Sequence, residues 1–207
     1  MIKRIIFDMD GTLCDTGKAT LTAIKMVENR FNLPPITYAD VQNAMGLAGT
    51  EFHRCMFPDL PEDVLLKLEP VIDLLEQDAI QSLGSDVLFP GVSDLLEALW
   101  QAGYELHIAS TGSKSHVHGT LDATGIESFF TGISCGEPAK IAMVRRIIAD
   151  SDPQEWAMVG DMFKDSEAAR GNNILALGAG FGYLAKQDFS LFDAVLGTPK
   201  DIWGYLR

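Results

Sequence analysis

The chain has 207 residues, 47% of them apolar, and carries a formal charge of −13. That length suits one domain with a large insert or two small ones, and the acidic balance argues against nucleic acid and anionic membranes as partners. No apolar run approaches the ~18 residues of a membrane span, the N-terminus opens straight into a strand pattern rather than a signal peptide, and three scattered cysteines (Cys14, Cys55 and Cys135) argue against a disulfide framework and for a reducing cytoplasm. Each cysteine reads as a small apolar filler.

The first predicted element is a buried strand at Ile5, Ile6 and Phe7, ended by Gly11. From Asp15 to Leu88 the pattern is helical. Ala19 to Phe31 carries an apolar face at Leu21, Ile24, Val27 and Phe31. Thr37 is an N-cap for Tyr38 to Met45, with Asp40 completing the cap. Gly46-Leu47-Ala48-Gly49 forms a loop expected near an active site, because paired glycines permit close approach. Further helices follow over Thr50 to Met56 and from Pro61 to Ile80. From Phe89-Pro90-Gly91 the rhythm changes to alternating helix and strand. Strands are expected at Tyr104 to Ala109, Ile133-Ser134, Trp156 to Val159, Ile174 to Leu177 and Ala194 to Leu196. The intervening helices are Val92 to Gln101, Ser115 to Thr124, Lys140 to Ala149 and Asp165 to Gly171. This alternation implies an α/β fold with a doubly wound parallel sheet. The core domain is then 1–14 with 89–207, and 15–88 is an inserted helical domain.

Three of these strands end in polar residues: Asp8 and Asp10, then Ser110 and Thr111, then Asp161 with Asp165 four residues on. In a parallel sheet such ends converge on one edge, where ligands bind. Oxygen-only ligands suit magnesium. Asp8 and Asp10 project the same way if the strand stays extended, so one can attack as a nucleophile while the other moves protons. Met9 between them points into the core. A phosphate substrate facing an acidic protein needs positive charge concentrated locally, from a metal and a few basic residues.

The pattern resembles the haloacid dehalogenase superfamily of phosphatases and phosphomutases, in its phosphoglycolate phosphatase and β-phosphoglucomutase-like branch. Its first motif stands here as Asp8-Met9-Asp10-Gly11-Thr12-Leu13, its second as Leu106-His107-Ile108-Ala109-Ser110, its third as Lys140, and its fourth as Gly160-Asp161-Met162-Phe163-Lys164-Asp165. The resemblance implies a Rossmann-like core, an inserted helical cap and a magnesium cofactor. It makes Asp8 the nucleophile and a metal ligand. Asp10 becomes the general acid and base, with its backbone carbonyl on the metal. Ser110 binds the phosphoryl group, with Thr111 as the alternative hydroxyl. Lys140 holds Asp8 and the phosphate, and Asp161 and Asp165 serve the metal. Many relatives place a proline directly after the lysine; here Ile141 follows, and Lys114 is the competing lysine.

The implied activity is magnesium-dependent hydrolysis of a small phosphorylated metabolite through an aspartyl phosphate. A phosphomutase would use the same site. A phosphoacceptor signalling domain is argued against by the helical insert and by the Asp-x-Asp-Gly-Thr spacing. Asp10 argues against dehalogenation, since a halide leaves without a proton. Substrate choice falls to the helical insert, where Lys25 and Arg54 are the basic candidates. The four histidines, His53, His107, His116 and His118, read as scattered, with His116 and His118 on the surface. A monomer or small homo-oligomer is expected.

Overall fold

A computed structural model describes residues 1–45, 47, 50–183 and 189–207. The chain divides into two compact units, residues 1–15 with 88–207, and residues 16–87.

The larger unit is built on six parallel strands: β1 (Arg4–Phe7), β2 (Glu105–Ser110), β3 (Gly132–Cys135), β4 (Trp156–Gly160), β5 (Leu175–Ala179) and β6 (Ala194–Leu196). Their spatial order is β3-β2-β1-β4-β5-β6, so the chain builds outward from β1 on one side and then on the other. β1 pairs with both β2 and β4, with Phe7 level with Ile108 and Val159. This reversal beside β1 is where an open α/β sheet leaves a crevice at its strand ends.

The sequence explains the central strands directly. Ile5, Ile6 and Phe7 on β1 are buried, and so is every residue of β4. A strand covered on both faces reads as a continuous apolar run rather than an alternating one. The crossover helices are α5 (Val92–Gln101), α6 (Lys114–Thr124), α7 (Lys140–Ile148) and α8 (Phe163–Arg170). α5 buries Val92, Leu95, Leu96 and Leu99, the spacing of one helical face. Met143 and Val144 of α7 join Ile6, Trp156, Met158, Ala168 and Ile174 in one core cluster. All six expected strands form, each within about two residues of the reading from pattern.

Among its described residues the smaller unit has four α-helices: α1 (Thr16–Phe31), α2 (Tyr38–Ala44), α3 (Thr50–Met56) and α4 (Glu62–Leu83). Its core gathers Ala23, Ile24 and Val27 of α1 with Val41, Phe57, Leu65, Leu68 and Ile72. The Thr37–Asp40 capping box is formed. Pro61 is the N-cap of α4 rather than its first helical residue. α4 runs on through Pro70, at a cost of about 3 kcal/mol. Burial of Leu65, Leu68 and Ile72, at roughly 1.5–3 kcal/mol each, outweighs it.

Some expectations are corrected. Asp15 and Leu88 belong to the α/β unit rather than to the helical insert. Asp15 is held there by the Tyr183 hydroxyl, which donates to Oδ1 at 2.9 Å, and Leu88 bridges to Cys14. α1 starts at Thr16, three residues earlier than its apolar face suggests, and α8 starts at Phe163. Cys14 is a buried filler, but Cys55 is exposed and Cys135 is half-buried. In the expected Gly46-Leu47-Ala48-Gly49 loop, Gly46, Ala48 and Gly49 lie outside the described residues. Among the described residues no helix is long and apolar enough to cross a membrane.

Candidate active site

β1 ends just before Asp8, whose backbone N–H still donates to Val159 of β4 at 2.9 Å. The chain then turns sharply. Leu13 and Cys14 both donate their N–H groups back to the Met9 carbonyl, and Met9 itself is fully buried. Gly11 makes this turn possible, with a φ of 83°. A Cβ at Gly11 would overlap Oδ2 of Asp161 and the Tyr183 ring. Gly160, at the end of β4, has the same constraint from Asp165. Both glycines therefore let backbone come close to carboxylates.

Asp8, Asp161 and Asp165 are all buried, and one carboxylate oxygen from each falls within 4.8 Å of the others. Lys140, at the start of α7 and only 5% exposed, reaches into this group. Its Nζ lies 2.7 Å from Asp8 Oδ1 and 2.6 Å from Asp165 Oδ1. Lys114, the competing lysine, is exposed. Asp165 also accepts the N–H groups of Asp161 (3.1 Å) and Met162 (2.9 Å) through Oδ2. That side chain therefore closes the loop between β4 and α8 while it orients the lysine. Lys164 beside it is exposed.

Asp161 is held from the other side. Thr12 donates its hydroxyl to Asp161 Oδ1 at 2.9 Å, and both residues are fully buried. Asp161 Oδ2 is buried with no hydrogen-bond partner among the described residues. An orphaned carboxylate oxygen in such a place is costly unless a cation meets it. The formal charges say the same: three carboxylates and one lysine sum to −2, which a divalent cation would balance. An all-oxygen donor set of this kind fits magnesium.

Electrostatics follow from this crowding. Burial pushes the Asp8 carboxyl up to about 7, and repulsion from Asp165 adds to the rise, while Lys140 opposes it. Burial, and then Asp8 and Asp165, hold Asp161 well above the usual carboxylate range. Burial acts to lower Lys140, but Asp165 and Asp8 outweigh it and hold the ammonium above the ordinary lysine value. These directions favour the charged lysine and leave the carboxylates short of positive charge.

Ser110 is buried at the end of β2, and its Oγ accepts the Gly112 N–H at 3.0 Å. Thr111 is exposed. The Asp10 carboxylate stands outside the three-carboxylate cluster. Its Oδ1 lies 2.9 Å from Nε2 of His116 on α6. Strands β1, β2 and β4 thus bring Asp8, Ser110 and Asp161 to one sheet edge.

The model of the haloacid dehalogenase-like hydrolase family matches residues 5–179, which span all of these groups. The chain belongs to that family. A phosphoglycolate phosphatase of Synechococcus elongatus is 28% identical over 208 residues, covering 97% of this chain and 95% of its own. A pyrophosphatase PpaX of Bacillus pumilus is 26% identical, with 92% and 88% covered. Among solved structures, one described as a predicted phosphoglycolate phosphatase from Haemophilus somnus has a TM-score of 0.83 at 22% identity, with 100% of this chain and 98% of that one covered.

Two residues of this haloacid dehalogenase-like hydrolase were not singled out from sequence. Thr12 stands inside the first motif, but nothing local reveals that its hydroxyl serves Asp161. His116 was expected on the surface; its side chain is only 20% exposed and is turned toward Asp10. The available signal was Ser113, whose Oγ caps α6 by accepting the His116 N–H at 3.2 Å. That cap places His116 in the first turn of the helix that follows the β2 strand end. His118 is exposed, as expected. On the helical unit, Arg54 is paired with Glu62, and Lys25 is exposed.

Proposed function

We propose that this hydrolase is a magnesium-dependent phosphatase that hydrolyses a small phosphorylated metabolite through an aspartyl phosphate on Asp8. The observation that carries this reading is the Asp8–Lys140–Asp165 bridge beside the orphaned oxygen of Asp161. The names of the relatives, phosphoglycolate phosphatase above all, support a small phosphate monoester as substrate.

In the first half of the reaction an Asp8 oxygen attacks phosphorus and the bond to the leaving oxygen breaks. Asp10 gives that oxygen its proton. In the second half water attacks the acyl phosphate, Asp10 takes the water's proton, and Asp8 is regenerated with release of inorganic phosphate. Lys140 neutralises charge on Asp8 and on the transferring group, and Ser110 donates to a phosphoryl oxygen, with Thr111 as the alternative hydroxyl. Asp8, Asp161, the Asp10 carbonyl and Asp165 would hold the cation, Asp165 directly or through water. The bound cation would lower the repulsion between the attacking carboxylate and the phosphate dianion. Residues 16–87 would act as the cap that selects the substrate.

The test is phosphate release from a panel of phosphate monoesters, 2-phosphoglycolate among them, with and without magnesium. Asp8→Asn should abolish release, because an amide neither attacks phosphorus nor carries the charge. Full magnesium-dependent release by that variant would overturn the mechanism. Conversion of a sugar phosphate without free phosphate would point instead to a mutase.

A further inference from the structure

We infer that His116 is a positioning residue for Asp10, fixing the carboxylate that protonates the leaving oxygen. This rests on the reading of Asp10 as the general acid. His116 Nε2 and Asp10 Oδ1 are 2.9 Å apart, although 106 residues separate them in sequence. Both side chains are partly shielded, at 20% and 33% exposure, so the bond is less diluted by water than a surface pair.

The backbone of His116 is anchored at both ends. Its N–H donates to Ser113 Oγ at 3.2 Å, and its carbonyl accepts the Thr120 hydroxyl at 2.8 Å. The ring packs close against Gly112, where an added Cβ would stand 3.1 Å from Cδ2. The imidazole thus reaches from an anchored first turn of α6 to the loop after β1. An acid that must meet a leaving oxygen within hydrogen-bond reach needs such a fixed rotamer. A carboxylate oxygen only accepts, so against ionised Asp10 the donor is Nε2–H. His116 keeps this proton throughout: the proton given to the leaving oxygen comes from Asp10, and Asp10 recovers it from water.

The experiment compares two esters, phenyl phosphate and 4-nitrophenyl phosphate. Phenolate is the more basic leaving group and depends on protonation; nitrophenolate departs largely unaided. His116→Ala should lower kcat on phenyl phosphate on the order of 10-fold, and on the nitrophenyl ester by less than about 3-fold. His116→Gln, whose amide N–H can take the place of Nε2–H, should restore most of the loss. Asp10→Ala is the reference and should show the same preference, more steeply. If Asp10→Ala falls equally on both esters, the reading of Asp10 fails and takes this inference with it. If Asp10→Ala discriminates but His116→Ala falls equally on both esters, or on neither, the positioning role alone is overturned. Failure of His116→Gln to restore phenyl phosphate turnover also overturns it.

Discussion

The Thr12 hydroxyl donates to Asp161 Oδ1 at 2.9 Å, and Oδ2 of the same carboxylate has no partner among the described residues. One oxygen is pinned by the first motif, and the other would face the proposed cation. Outer partners of this kind set ligand orientation, and their loss typically costs about 10–100-fold in metal affinity. Thr12→Val keeps the shape and removes the donor. Magnesium titration followed by thermal unfolding should show weaker metal stabilisation by that factor. Unchanged magnesium affinity would show that Asp161 is oriented by something else.

Lys140 is the charge partner of two buried carboxylates. Lys140→Met leaves Asp8 and Asp165 facing each other without it. Removing one partner of a buried ionic group costs about 3–5 kcal/mol. Urea unfolding at neutral pH without metal should show a loss of this order, and phosphate release should vanish. Lys140→Arg should restore activity only in part, because the longer, planar guanidinium does not fit the compact buried point that the ammonium occupies between Asp8 and Asp165.

Gly11 combines a positive φ with backbone packed against Asp161 and Tyr183. Gly11→Ala should cost more than about 1 kcal/mol from backbone strain alone. It should also weaken magnesium binding, since the new methyl displaces the Asp161 carboxylate. A variant with wild-type stability and metal affinity would contradict the packing described here.

His53 on α3 is buried, and neither ring nitrogen has a partner among the described residues. Burial lowers its pKa below the ordinary histidine value of about 6.5, with Glu69 and Asp73 opposing. The unfolded chain therefore binds the extra proton first as pH falls. Stability at this residue is full above about 6.5 and declines as pH drops below it toward the lower folded value. His53→Leu should raise the urea midpoint and flatten its decline between about pH 7 and 5. An equal decline in both proteins would assign the acid sensitivity elsewhere.

Much of the fold was legible from pattern. Short apolar runs between amphipathic helices marked the strands, most plainly the central β1 and β4, because a parallel strand buried on both faces must be apolar throughout. Asp8, Ser110 and Asp161 were legible as strand-end residues for the same reason. The edges of the helical insert were less so, because Asp15 and Leu88 take their unit from Tyr183 and Cys14, which are distant in sequence or paired across the sheet end. His116 was misread because helical spacing reports on neighbours within one helix, whereas its partner lies on another strand's loop.

The sequence by itself determined which segments become strand or helix, where the chain turns, and which carboxylates stand at strand ends, since these depend on local period and on glycine. Only the tertiary structure decided what each carboxylate faces. Asp8 and Asp165 share Lys140, Asp161 takes Thr12 and keeps one oxygen unsatisfied among the described residues, and Asp10 turns to His116. The physical reason is that hydrogen bonds and ion pairs depend on distances of about 3 Å in space. The order β3-β2-β1-β4-β5-β6 brings together residues as far as 168 positions apart in sequence.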